Sequence, residues 1–150
     1  MASYIFDGVK LKIFTGNMDF EFADGDLKLA LVTSAVFANW NTGALSDSDY
    51  WYELSAYEIT EDSNYNTSGY SQQDLNNVGL NEIDVNGFTH LVVSADDINF
   101  AISTIDAYGA VIYESADESL VVAVNFNSLV SSNNGTFNIP LSTTGVLKLQ

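Results

Sequence analysis

Apolar and polar positions alternate over short stretches along most of this chain, with turn residues between them. After Asp24-Gly25, a turn signal, Leu27, Leu29 and Leu31 fall on one face of a strand spanning Leu27 to Val32. Asn86-Gly87 lies between Ile83-Asp84-Val85 and the run Phe88 to Val93. Asn-Gly between apolar runs predicts a hairpin, because both central residues of a type I′ turn need positive φ. Asp96-Asp97 reads as a turn into a short strand, Ile98-Asn99-Phe100. Two further strands follow, Tyr108 to Tyr113 and Leu120 to Phe126, separated by the polar turn Glu114 to Ser119. Asn133-Asn134-Gly135 predicts another turn, before a strand from Thr136 to Leu141. Pro140 cannot donate to a ladder, so that strand lies at an edge or ends there. Gly145 precedes a last strand, Val146 to Leu149.

Two patterns compete at the start. Ile5, Val9 and Ile13 recur every four residues, as on one face of a helix stopped by Gly16. Val9, Leu11 and Ile13 also alternate with Lys10 and Lys12, as in a strand. We favour the short helix. Between Ser34 and Leu54, the segment Asp47 to Tyr52 reads as an ordered loop or helical turn. Glu61 to Asn77 is the longest loop candidate. No repeat or linker divides the 150 residues. The expected fold is a single all-β domain, an antiparallel sandwich or barrel of about eight strands, with a possible N-terminal helix and a contact segment at 1–16.

Composition supports strands over solvated helices. Hydrophobic residues are 47% and charged residues only 16%, so Asn, Ser, Thr and Gly carry most of the remainder. The net charge is −16, with 20 acids against Lys10, Lys12, Lys28 and Lys148. Nucleic acid is excluded as a partner, since binding it requires cations that displace phosphate counterions. An anionic membrane is disfavoured for the same reason. No apolar run approaches the ~20 residues of a spanning helix. The first residues lack a basic, then apolar, leader pattern, so synthesis and residence in a cytoplasm are expected.

Candidate chemistry is sparse. Without Cys, thiol chemistry and thiolate metal sites are excluded. His90 is the single histidine, sits in an alternating strand, and no G-x-S-x-G elbow accompanies the serines. A histidine-ligated zinc or iron site needs more such ligands. Asp62, Asn64 and Asn66 have the spacing of the first ligands of a calcium loop. Thr67 replaces the glycine of that loop, and Gln73 its bidentate Glu. Asp24-Gly25-Asp26, Asp47-Ser48-Asp49 and Asp96-Asp97 read as solvated turns or caps. No cofactor is expected, an adventitious or interfacial Ca²⁺ apart, and no catalytic residue. Trp40, Trp51, Tyr50, Tyr52, Tyr57, Tyr65 and Tyr70 make the middle of the chain aromatic, as a contact surface or as loop-rich core.

The order of several segments resembles small virion structural proteins of tailed bacteriophages, most of all capsid decoration (cement) proteins. It is carried by Leu27 to Val32, Ser68-Gly69-Tyr70, Leu75 and Asp96 to Phe100. It continues with Ile105 to Tyr113, Leu120 to Phe126, Gly135 to Ile139 and Gly145 to Leu149. Ser71-Gln72-Gln73 stand where the group often has glycines, and Phe100 where it often has Trp. The resemblance implies a non-enzymatic subunit on the outer capsid surface of a virion. Its partner would be the major capsid protein, and its own assembly a homotrimer. A tail or fibre-attachment component is the alternative within viruses, and a carbohydrate-binding sandwich the alternative outside them.

Contact residues are expected in the N-terminal segment, at Tyr4, Ile5, Phe6, Lys10 and Lys12, and in the aromatic loop, at Tyr50, Trp51 and Tyr52. Deleting Ala2 to Phe6 is expected to weaken capsid binding and leave the β-domain folded.

Overall fold

Two antiparallel sheets carry the fold, and the most apolar runs lie at the centre of the larger one. The computed structural model describes residues 2–17, 22–38, 47–59, 72–85, 88–144 and 146–149. In chain order the elements are β1 (Ala2–Ile5), α1 (Asp7–Thr15), β2 (Leu27–Val32), α2 (Ala35–Ala38) and α3 (Trp51–Leu54). Then come β3 (Gln73–Asp74), β4 (Gly79–Val85), β5 (Phe88–Ser94), β6 (Ile98–Glu114), β7 (Leu120–Ile139), α4 (Leu141–Thr144) and β8 (Leu147–Leu149). The larger sheet has the order β1-β7-β6-β2-β3, the smaller β4-β5-β8. The molecule is thus a mainly-β, sandwich-like fold with a short N-terminal helix, as its pattern predicts.

Both faces of the larger sheet are covered at its centre. On one face Leu27, Leu29, Leu31, Ala110, Ile112 and Val122 join Val93 of β5 and Val146 in one core. On the other, Ala30, Val32, Val111, Tyr113, Leu120 and Ala123 pack with Phe6, Val9, Val36, Trp51 and Leu54. This explains why Leu120 to Val124 is apolar at every position, since a strand buried on both sides has no polar face. Each fully buried Leu, Ile or Val contributes about 1.5–3 kcal/mol over its exposed state.

The N-terminal ambiguity resolves as a helix because the chain carries its own stop. Gly16 adopts φ 71°, and its N–H donates to the Ile13 carbonyl. The Asn17 N–H donates to the Lys12 carbonyl at 2.8 Å, completing a Schellman cap. β1, just before the helix, pairs with β7 from Ala2↔Asn125 to Ile5↔Val122.

β4 and β5 pair through Val85↔Phe88, on either side of Asn86-Gly87, which itself lies outside the described residues. The turn at Glu114 to Ser119 stands, β8 starts one residue after the expected Val146, and β7 ends just before Pro140. Two readings change. Ile98 to Phe100 and Tyr108 to Tyr113 belong to one strand, β6. Asn133-Asn134-Gly135 is no turn but a bulge inside β7. The register runs Phe100↔Phe137, Ser103↔Gly135, Ile105↔Ser132, so an extra residue on β6 is followed by one on β7. Asn134 does adopt positive φ, 49°, as does Ile102 at 51°. Yet the chain runs on, because Ser103 and Ser132 tie the two strands together. The Ser103 hydroxyl is within reach of the Gly135 carbonyl at 3.2 Å, and the Ser132 hydroxyl donates to the Ser103 carbonyl at 3.0 Å. Of the expected loop Glu61 to Asn77, Gln73–Asp74 forms β3 against Lys28 and Leu29. Trp40 to Gly43, the candidate calcium ligands Asp62, Asn64 and Asn66, and Tyr65 and Tyr70 lie outside the described residues.

Candidate partner interface

Helix α1 is apolar on both sides. Val9 and Ile13 face inward against the core. Leu11 and Phe14, three residues apart and so on one outer face, are 65% and 88% exposed. A helix apolar all round is ordinarily buried. Among the described residues, only its inner side has a partner.

The aromatic loop sits beside this helix. The Asp49 carbonyl accepts from the Leu120 N–H at 2.9 Å, and the Trp51 N–H donates to the Glu118 carbonyl at 2.8 Å. These bonds hang the loop on the β6–β7 turn. Glu53 Oε2 accepts from the backbone N–H groups of Asp49 and Tyr50 at 2.8 and 3.1 Å, which fixes the entry to α3. Gly8 allows the close approach, since a Cβ there would stand 2.6 Å from Asp49 Oδ1. Between helix and loop lies a cleft of about 230 Å³, lined by Val9, Leu11, Lys12, Tyr50 and Leu120 among others. The two segments expected to supply contacts, some forty residues apart in sequence, therefore border one cleft.

Their residues have different surroundings. Tyr50 and Tyr52 stack on each other, with ring centroids 5.4 Å apart, and both are exposed. Trp51 points inward and stacks on Tyr113 at 5.1 Å, the rings almost parallel. Phe6 is fully buried, while Tyr4 and Ile5 are partly buried against the same core. Lys10 pairs with Asp7 at 2.6 Å, and Lys12 with Glu114 at 3.7 Å. The two lysines thus neutralise local carboxylates rather than form a free basic patch. Burial pushes the Glu114 carboxyl up, an effect that Lys12 opposes. Leu11 and Phe14, the most exposed apolar side chains of the face, were absent from the expected contact residues. The signal was available, since both lie off the Ile5-Val9-Ile13 face that the helix must bury.

Removing residues 2–6 therefore does not isolate a surface. It takes away a paired strand and the buried Phe6, so the expectation of an intact domain after that deletion is corrected. Substitutions at Leu11 and Phe14 separate surface from fold.

The short acidic clusters serve the backbone. Asp24 Oδ1 accepts from the Asn77 N–H at 2.6 Å, and Asp26 Oδ2 from the Ala23 N–H at 2.7 Å. Asp97 Oδ1 accepts both the Ser142 N–H and hydroxyl, holding the start of α4 and lowering the Asp97 pKa. Among the described residues, no group of three or more potential metal ligands converges. Nor is any described helix long and apolar enough to cross a membrane. His90 pairs with Ile83 across β4 and β5. Compared with known protein families, curated proteins and solved structures, the chain matches none.

Proposed function

We propose that this protein is a virion structural subunit, a capsid decoration (cement) protein of a tailed bacteriophage. In this reading it binds the major capsid protein on the outside of the mature head shell. The outer face of α1 with Tyr50 and Tyr52 is the contact surface. The observation that carries the reading is Phe14, 88% exposed on a helix whose opposite side is already packed. An apolar ring left in water on the same helix face as Leu11, which itself borders the cleft with Tyr50, marks a surface meant to be covered. The segment order described above supplies the identity of the partner.

A decoration subunit acts by mass action. It binds the assembled shell and not the dissociated subunits, so each bound copy shifts the equilibrium toward assembly. Copies held together, as a homotrimer at local three-fold positions, gain from effective concentration. No bond is made or broken, so the function needs no catalytic group.

The test is co-sedimentation with shells of the source particle. Phe14→Glu and Leu11→Glu are expected to reduce shell occupancy by tenfold or more (about 1.4 kcal/mol per decade) without changing the circular dichroism spectrum. Full occupancy by both variants would remove this face as the contact. Immunogold labelling of whole particles separates a head position from a tail or fibre position. The exposed Tyr50–Tyr52 stack beside a cleft also favours a second reading, a carbohydrate site. Binding on a glycan array, lost in Tyr52→Ala, would support that reading instead.

A further inference from the structure

β7 offers a second surface, distinct from α1. β1 covers its outer edge only from Val122 to Asn125. Beyond Asn125, β6 lies on one side of β7 and no described strand on the other. There the strand swells, because five steps from Asn125 to Val130 answer only two from Ala107 to Gly109 on β6. The swelling is exposed and carries Leu129 and Val130, 46% and 37% accessible. Beside it, Phe126, Val130, Phe137, Ile139 and Pro140 line an apolar groove of about 160 Å³.

Edge strands of monomers are ordinarily blunted by charge, above all by lysine. This one carries none. From Ser119 to Leu147 there is no Asp, Glu, Lys, Arg or His, in a chain whose net charge is −16. That distribution selects the occupant. β7 itself offers a basic partner no carboxylate, and exposed Asp106, across from Ser131 on β6, is a single acid beside a long neutral strand. Another copy of this chain, itself at −16, is repelled wherever charged surfaces meet. A long neutral edge with exposed apolar side chains and a groove is where two such copies can approach. The bulge at Asn133-Asn134 and the stop at Pro140 keep any ladder short, so the contact is finite rather than a growing sheet.

We infer that copies of this chain associate through the edge of β7 that no described strand covers, with Leu129 and Val130 at the contact and the Phe126–Pro140 groove receiving the neighbour. The inference needs no capsid; it gives a surface to the self-association that the proposed function includes, and its failure leaves the α1 contact to its own test. The test is sedimentation velocity of the whole protein over a wide concentration range, at low and moderate salt. The wild type is expected to show a species at least twice 16.3 kDa, strengthened by salt that screens the repulsion. Val130→Glu and Ser131→Glu, the latter at an exposed position, are expected to weaken association about tenfold or more. Both should keep the wild-type melting curve, and Leu11→Glu on α1 should associate as the wild type does. A monomer at every concentration would overturn the inference. So would an oligomer indifferent to both β7 variants, and one dissolved by Leu11→Glu alone would move self-association to the helix.

Discussion

At the scale of single residues, Gly109 and Tyr113 bind the sheet to the layer above it. A Cβ at Gly109 would collide with the Val124 carbonyl and with the Phe37 ring. Neither the backbone nor a ring packed on the core can yield cheaply. Gly109→Ala is therefore expected to destabilise by about 1–3 kcal/mol, read from a denaturant melt with unchanged slope. Tyr113 stacks under Trp51, and its hydroxyl donates to Gln72 Oε1. Gln72 Nε2 in turn donates to the Glu58 carboxylate at 3.3 Å. Burial above all, then the charges of Glu58, Glu118 and Asp74, push the Tyr113 phenol up to about 12. The unfolded chain loses this proton first, near the ordinary value of 10.0. The stability linked to it is therefore complete below that pH and is lost as pH rises through about 12. A phenolate titration should show one tyrosine ionising late, together with a rise in Trp51 exposure. Tyr113→Phe should abolish the late step.

At the scale of elements, β1 and α1 are integral to the fold as well as candidates for contact. Removing residues 2–6 deletes a strand paired at four positions and the buried Phe6. A loss of about 3–5 kcal/mol is expected from the aromatic ring alone, measured by chemical denaturation, and an unchanged midpoint would contradict this packing. Most elements were legible in the sequence because local signals agreed with the tertiary outcome. Leu27 to Val32 alternates and stays a strand, while Gly16 stops a helix that alternation alone would have made a strand. The Asn133-Asn134-Gly135 reading failed for a definite reason. Positive φ at Asn134 bends the chain locally, and Ser103 and Ser132, about thirty positions apart, decide whether it turns back or bulges. The contact face was half legible. Helical periodicity identifies which side of α1 is buried, but no spacing in sequence places Asp49 and Tyr50 beside Gly8 and Leu11.

At the scale of the whole molecule, charge and apolar surface are segregated. The carboxylates gather outside the long neutral run of β7, and only a few lysines offset them. Compaction brings like charges together, so moderate salt is expected to raise the melting temperature by a few degrees. A melting temperature flat or falling between low and moderate salt would show that the acids are already neutralised locally, as Asp7 and Glu114 are by Lys10 and Lys12.

One hairpin, β6 with β7, passes through two environments. Near its turn, β1 and β2 flank it and side chains bury on both faces, whereas its far half lies beyond the reach of those neighbours. Amide protons should follow that division. Those of Val111, Ile112, Val122 and Ala123 should exchange only when the entire chain opens. Those of Asn127 to Ser131 should exchange through small local openings. A single pair of strands would then hold both the most permanent and the most labile hydrogen bonds of the protein.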